Sequence, residues 1–335
     1  METQTKNRVL ITGGAGFIGH HLVEHILKNT NWEIVILDRL DISGCLERLR
    51  DLDIWEKEKS RVKFIWWDLK AGLNGFVAGD IGEVDYILHL AASTHVDRSI
   101  SDPISFVMDN VVGTANILEF ARKQSSLKSF LYFSTDEVFG PAPAGVAYKE
   151  NDRYNSGNPY AASKAGGEEL ALSYSNTYGL PVIITHTMNV FGERQHPEKF
   201  IPLVIQKVLD GRNVLIHANK NCTKSGSRYW IHARNVAGAI FFLLKRANPC
   251  CGQKFNIVGE REVDNLEMAQ FIAKVLGKPL NYEMVDFHSS RPGHDLRYAL
   301  DGSKMAVLGW KLPFSFEESL TKTIKWTVDH PQWLK

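Results

Sequence analysis

A glycine-rich turn restricts the fold of this chain more than any other feature. Thr12-Gly13-Gly14-Ala15-Gly16-Phe17-Ile18-Gly19 stands between an apolar run at 8–12 and a stretch with helical spacing at 17–28. A strand that turns through glycines directly into a helix is the opening unit of a parallel βαβ layer. The pattern then repeats, with strands expected at 32–37, 62–67, 86–90, 129–133 and 182–185, and helices at 110–124 and 160–178. Such alternation predicts an α/β fold, a Rossmann-type doubly wound parallel sheet. After Phe191 the texture changes: a loop rich in charge and proline at 193–202 leads to a helix near 203–209 and shorter elements. The expectation is a Rossmann domain over 1–190 and a smaller C-terminal substrate-binding lobe over 191–335. Some strand exchange between the two is expected, and no flexible linker separates them.

The same turn can hold phosphate. Glycines at 13, 16 and 19 let the backbone approach a pyrophosphate, and the helix opened by Phe17 and Ile18 aims its N-terminal amides at the negative charge. Asp38 ends the second strand, about where an acid grips the adenosine ribose, and its charge favours NAD over NADP. Arg39 complicates that choice, because a neighbouring arginine can accommodate a 2′-phosphate. Asp68, followed by Leu69, fits a contact to adenine, and Leu90, Ala91 and Ala92 leave room for the dinucleotide.

The formal net charge of +1 advertises neither a nucleic-acid nor a membrane surface. Residues 1–7 are polar, so no signal peptide is expected, and no apolar run nears the ~20 residues of a membrane helix. The four cysteines lack paired metal-ligand spacing, so no metal is expected. Reduced thiols in a cytoplasmic protein are the simplest account of them.

Chemistry concentrates in the middle of the chain. Tyr160 and Lys164 stand four apart on one expected helix face, so the ammonium can lower the phenol's pKa and make it a usable base. Thr135, Asp136 and Glu137 stand just upstream, and two adjacent carboxylates supply the acid and base needed to pull water from an alcohol. Successive residues of a strand face opposite ways, so Asp136 and Glu137 share one site only if the chain bends there. Together the groups suggest dehydration coupled to hydride transfer.

These motifs resemble the extended short-chain dehydrogenase/reductase family over essentially the whole chain. Within it, the chain is most similar to nucleotide-sugar 4,6-dehydratases of the dTDP-glucose type. The similarity rests on the glycine motif, His-Val-Asp-Arg-Ser at 95–99, the segments 134–140 and 160–164, Asn-Val-Phe-Gly at 189–192, 197–202 and Arg-Pro-Gly-His-Asp at 291–295. The resemblance implies an NAD-dependent hydro-lyase. In it Tyr160 takes the C4 hydroxyl proton as hydride leaves C4, Lys164 supports the phenolate and the nicotinamide ribose, and Thr135 orients the C4 oxygen. Glu137 then removes the C5 proton, Asp136 protonates the departing C6 hydroxyl, and hydride returns to C6.

The resemblance also implies a nucleotide-diphosphate sugar bound by Asn189 and Arg228, with Arg291 in support. Glu198, Lys199 and Asn265 are further candidates, as are Ser93, His95 and His294. Three departures bear on the substrate: Ser93 replaces a usual glutamate, the stretch 216–227 is longer than usual, and Arg234-Asn235 replaces an acidic pair. Tyr229 also stands where the family has an acid. A homodimer is expected from the family, packed through the helix that carries Tyr160 and the helix near 111–121. The rival readings are a nucleotide-sugar 4-epimerase or uronic-acid decarboxylase on the same fold, and a non-catalytic NAD-binding protein.

Overall fold

The structure, a computed structural model, describes residues 6–286 and 297–335. Six strands alternate with helices in the first part of the chain: β1 (Arg8–Thr12), β2 (Glu33–Asp38), β3 (Val62–Trp66), β4 (Tyr86–His89), β5 (Ser129–Thr135) and β6 (Val182–Thr187). The later strands are β7 (Asn189–Phe191), β8 (Val214–Ala218), β9 (Ser227–His232), β10 (Gln253–Ile257), β11 (Glu262–Asp264) and β12 (Tyr282–Asp286). Seven of them form one parallel sheet in the order β10-β6-β5-β4-β1-β2-β3.

Both faces of that sheet are covered, which is why its central strands read as unbroken apolar runs. Val9 and Ile11 point into a core with Leu22 and Ile26 of the Phe17–Asn29 helix and Val236 and Ile240 of the Ala233–Leu244 helix. Leu10 points the other way, against Ile117, Leu118, Phe130 and Ala171. Strand order reverses beside β1, whose neighbours are β2 and β4. In a doubly wound sheet the crevice at the carboxyl ends of such strands is where ligands bind.

The later part of the chain forms a third core, with Phe191, Ile205, Trp230, Ile272 and Leu320, under the β11-β9-β7 sheet and the parallel β12-β8 pair. It does not stand apart from the first layer. β10 pairs with β6 at the edge of the large sheet, and the Ala233–Leu244 helix packs on the Phe17–Asn29 helix. Among the described residues no helix is long and apolar enough to cross a membrane.

Candidate active site

The glycine turn forms a cradle that side chains would fill. Gly13 has φ +72°, and a Cβ there would lie 2.8 Å from Ala91 N, while one on Gly19 would lie 2.2 Å from Gly13 O. Gly16 caps the Phe17–Asn29 helix with no side-chain hydrogen bond, and no acid occupies the first turn. An anion can therefore meet the helix's free amides without a competing carboxylate. At the tip of β2, Asp38 accepts from Ala15 N (3.0 Å) and Leu40 N (2.9 Å). Burial pushes its carboxyl above the ordinary value, and those two amides oppose the shift.

A cavity of about 370 Å³ runs from this cradle to the end of β5. Its wall includes Gly13, Gly16, Phe17, Ile18, Gly19, Asp38, Asp68, Leu69, Leu90, Ala91 and Ala92 at one end. Thr135, Asp136, Glu137, Tyr160, Lys164, Asn189 and Lys199 line the other.

At that second end the chain bends as the chemistry requires. β5 stops at Thr135, and Asp136–Phe139 form one 3₁₀ turn whose cap is the Thr135 hydroxyl, accepting from Glu137 N at 3.4 Å. Gly140 closes the turn at φ +74°, where a Cβ would collide with Asn155 O at 2.3 Å. The strand alternation that would have separated the two carboxylates is thus broken between them.

The two acids then differ in surroundings. Asp136 is buried, accepts from Thr135 Oγ1 at 3.2 Å through Oδ1, and its Oδ2 finds no hydrogen-bond partner among the described residues. Burial first, and the Glu137 charge second, raise its carboxyl to about 7, against the pull of Arg228. Glu137 accepts from Asn158 Nδ2 at 3.2 Å. Asn158 is also the cap of the Pro159–Tyr178 helix, its Oδ1 accepting from Ala161 N at 2.8 Å, with Pro159 in the first turn. One side chain therefore ties Glu137 to the helix that carries Tyr160 and Lys164.

Tyr160 and Lys164 share a buried helix face, but the ammonium does not act on the phenol as the spacing suggests. Lys164 Nζ donates to Phe133 O at 2.7 Å and lies 4.3 Å from the Tyr132 ring centre. Burial lowers it to about 7. The phenol of Tyr160 is pushed above its ordinary value, by burial first and then by the Glu137 charge, with a Thr135 hydrogen bond opposing. The expected lowering of the phenol is therefore corrected: the lysine reaches the carbonyl at the end of β5, and two acids face the tyrosine. Behind the site, Ser134 Oγ donates to Glu168 Oε2 (2.8 Å), and Glu168 meets His186 (3.1 Å) and Lys254 (3.0 Å). Burial alone would raise Glu168, but His186 and Lys254 outweigh it and hold the carboxyl below its ordinary value.

Of the other substrate candidates, Ser93, His95, Glu198, Arg228 and Asn265 stand outside the lining of the cavity. Ser93 donates its hydroxyl to Asp109 Oδ2 at 2.6 Å, and the next residue, Thr94, lines the wall instead. At the rim, Glu198 meets Arg98 at 3.0 Å and stands 3.9 Å from His95. The Arg228 guanidinium lies 4.7 Å from the Tyr298 ring centre, and its charge is felt at Asp136. Asn265 opens the Asn265–Leu276 helix, its amide donating to Gly226 O at 2.9 Å. Arg291 and His294 lie outside the described residues. Sequence reasoning missed Asn158, although Asn-Pro before a helical run is a capping signal. It also missed Thr94, Gln195 and His196 on the wall, for which no local signal exists.

Comparison with known proteins agrees with this geometry. A family model described as GDP-mannose 4,6 dehydratase matches residues 10–323. A dTDP-glucose 4,6-dehydratase of Escherichia coli is 35% identical, covering 97% of this chain and 95% of the relative. One of Streptomyces niveus is 36% identical, covering 97% and 94%. The crystal structure of DesIV, a dTDP-glucose 4,6-dehydratase from Streptomyces venezuelae with NAD bound, superposes with a TM-score of 0.87 at 35% identity, covering 98% of this chain and 99% of that one.

Proposed function

The chain belongs to the GDP-mannose 4,6-dehydratase family within the extended short-chain dehydrogenases/reductases, and on that premise we propose that it is an NAD-dependent nucleotide-sugar 4,6-dehydratase. Its substrate is an NDP-hexose of the dTDP-glucose or UDP-glucose type, and its product is the NDP-4-keto-6-deoxyhexose. The cradle around Gly13 and Gly19, the uncapped helix N-terminus and the Asp38 carboxylate fit the pyrophosphate and ribose of NAD. Bound there, the cofactor supplies a hydride acceptor for C4, a donor for C6, and a positive ring whose charge favours the Tyr160 phenolate.

The protein's own groups move the protons. Tyr160 takes the proton of the C4 hydroxyl, and Thr135 hydrogen-bonds the same oxygen. The 4-ketone acidifies C5, where Glu137, held by Asn158, removes the proton. Asp136 gives its proton to the C6 hydroxyl, which leaves as water, and Glu137 then returns its proton to C5 as hydride is restored at C6, which completes the 4-keto-6-deoxy product. Lys164 supports the end of β5 through Phe133 O. Asn189 and Lys199, on the wall beyond the catalytic groups, are the proposed contacts to the nucleotide sugar, with Arg228 behind Asp136.

The observation that carries this reading is Asp136. A buried carboxyl with an unpartnered oxygen on the cavity wall, kept protonated near neutral pH, is a leaving-group acid, and neither 4-epimerisation nor decarboxylation needs one. The test is mass spectrometry of the protein with NAD and a panel of dTDP-, UDP-, GDP- and CDP-hexoses. Loss of one water from one member, with no net NADH, is expected. Epimer or carbon dioxide in place of water loss would defeat the proposal.

We infer a homodimer as well. Ile100, Ile104, Val107 and Met108 are exposed beside the helix that carries Tyr160, an apolar strip of the kind a second subunit covers. Light scattering of the purified protein decides it. A cytoplasmic setting is consistent with four free thiols.

A further inference from the structure

Arg39 follows Asp38 at the tip of β2, and both line the adenosine end of the cavity. An arginine there is the usual receptor for a 2′-phosphate, because its planar fork matches phosphate oxygens. In this protein the fork is already filled. Nη1 and Nη2 donate to Asp109 Oδ1 (2.6 Å) and Oδ2 (2.8 Å) as a bidentate pair. Nε and Nη2 also donate to Asp41 Oδ2 (2.8 and 2.6 Å), and Nη1 lies 3.5 Å from Asp68 Oδ1. The neighbouring cations are engaged too: Lys70 with Asp68 at 3.3 Å, and Arg48 with the carbonyls of Arg194, Ala15 and Ser43.

The two carboxylates on the fork are not equivalent. Asp41 is on the same loop as Arg39 and its side chain is 41% exposed, so water screens that pair. The Asp109 side chain is 8% exposed and comes from a separate element, the π-helical turn Met108–Val112. It is anchored there. Ser93 Oγ donates to its Oδ2 at 2.6 Å, and the adjacent Asn110 bonds Ser93 N (2.8 Å), Ser93 O (2.9 Å) and Ser163 Oγ (2.9 Å). A buried, bidentate and anchored carboxylate is the partner that Arg39 cannot easily leave.

We propose that Asp109 is a positioning residue for cofactor specificity: it holds Arg39 in a bidentate pair and so withholds from a 2′-phosphate the guanidinium that would otherwise bind it. Ser93, read from the sequence as a sugar contact, serves this clamp through its hydroxyl. The inference rests on the NAD reading of the cavity and extends it, because discrimination then comes from both sides of the crevice, Asp38 from β2 and Asp109 from beyond β4.

The experiment is titration calorimetry of NAD+ and of NADP+ against the full-length protein and its variants. Asp109→Asn, which keeps the shape and removes the charge, is expected to raise NADP+ affinity relative to NAD+ by about tenfold or more. Asp109→Glu, which restores the charge, is expected to keep the wild-type ratio. Ser93→Ala, which loosens the clamp without changing charge, is expected to move the ratio the same way by a smaller factor. Arg39→Ala added to Asp109→Asn is expected to abolish the gain. If Asp109→Asn weakens both dinucleotides alike, Asp109 is only structural and the proposal fails. A gain that survives loss of Arg39 also overturns it. Wild-type protein that binds neither dinucleotide overturns the NAD reading itself, and this inference with it.

Discussion

Asp136 and Glu137 are adjacent and carry the same functional group, yet their surroundings differ, and the proposed reaction gives them opposite work. Asp136 is buried with one oxygen unpartnered, while Glu137 receives a hydrogen bond from Asn158. Two carboxylates this close do not both ionise readily, and burial decides that Asp136 keeps the proton, up to about pH 7. In the proposed reaction the acid form is the active one at this position, so kcat for water loss is expected to fall as pH rises above about 7. Asp136→Asn removes the proton and with it that alkaline limb. It is expected to lower water loss by roughly 10²–10⁴-fold while C4 oxidation, read as NADH absorbance, persists. A variant that lost both together would show that Asp136 positions substrate and is not the acid.

The bend that brings the two acids together belongs to an element, not to either residue. The 3₁₀ turn Asp136–Phe139 needs the Thr135 cap on one side and the left-handed Gly140 on the other. The Pro159–Tyr178 helix is joined to this turn by Asn158, whose carbonyl caps the helix and whose amide holds Glu137. The two functions can be separated. Asn158→Ala loses both and is expected to cost about 1 kcal/mol of stability together with activity. Asn158→Asp keeps the capping oxygen but places a negative charge where Glu137 had a donor. Its melting temperature is expected to stay near wild type while kcat falls at least about tenfold. Equal kcat values for Asn158→Asp and wild type would remove Asn158 from the positioning of Glu137. Much of this element was legible in advance, because the Tyr-Lys spacing and the glycine after the carboxylates are local signals. What Asn158 and Lys164 touch was not legible, since a side chain four residues from its partner can reach across to another strand instead. Ser93 and Thr94 show the same limit: beyond the end of β4 the alternation that tells inward from outward no longer applies.

At the scale of the whole molecule, the parallel sheet followed from the alternating apolar runs, and some strand exchange with the later chain was expected, but which later elements re-enter it was not legible. β10 and the Ala233–Leu244 helix are placed by contacts with β6 and the Phe17–Asn29 helix that no local pattern records. The seam so formed is buried and rich in imidazole. His21 Nε2 donates to Glu193 O at 3.2 Å, and His232 Nε2 donates to Glu193 Oε2 at 3.0 Å while its Nδ1 accepts from Arg234 N. His20 and His21 lie side by side in this seam, and His89 is sealed within the sheet between Thr12 and Thr114. Burial is the leading cause that lowers all three, to about 3 for His21 and His89, so they are neutral in the folded protein. The unfolded chain takes up protons at these positions as pH falls through about 6.5, and the folded chain does not. Stability contributed by the neutral rings is therefore full above that pH and is lost progressively below it. Asp38 and Asp136, which keep protons to higher pH in the fold than in the unfolded chain, oppose the loss but are fewer. The net expectation is a decline of roughly 1–3 kcal/mol per pH unit between about pH 6 and pH 4.5, read from urea unfolding followed by tryptophan fluorescence. The decline should begin well above the carboxylate range, because Glu193 and Glu168, held low by their partners, give way only in stronger acid. Unfolding free energies that stayed level from pH 7 to pH 5 would mean that these histidines take up protons within the folded seam, and the account of a neutral, closed interface between the two parts of the chain would fall.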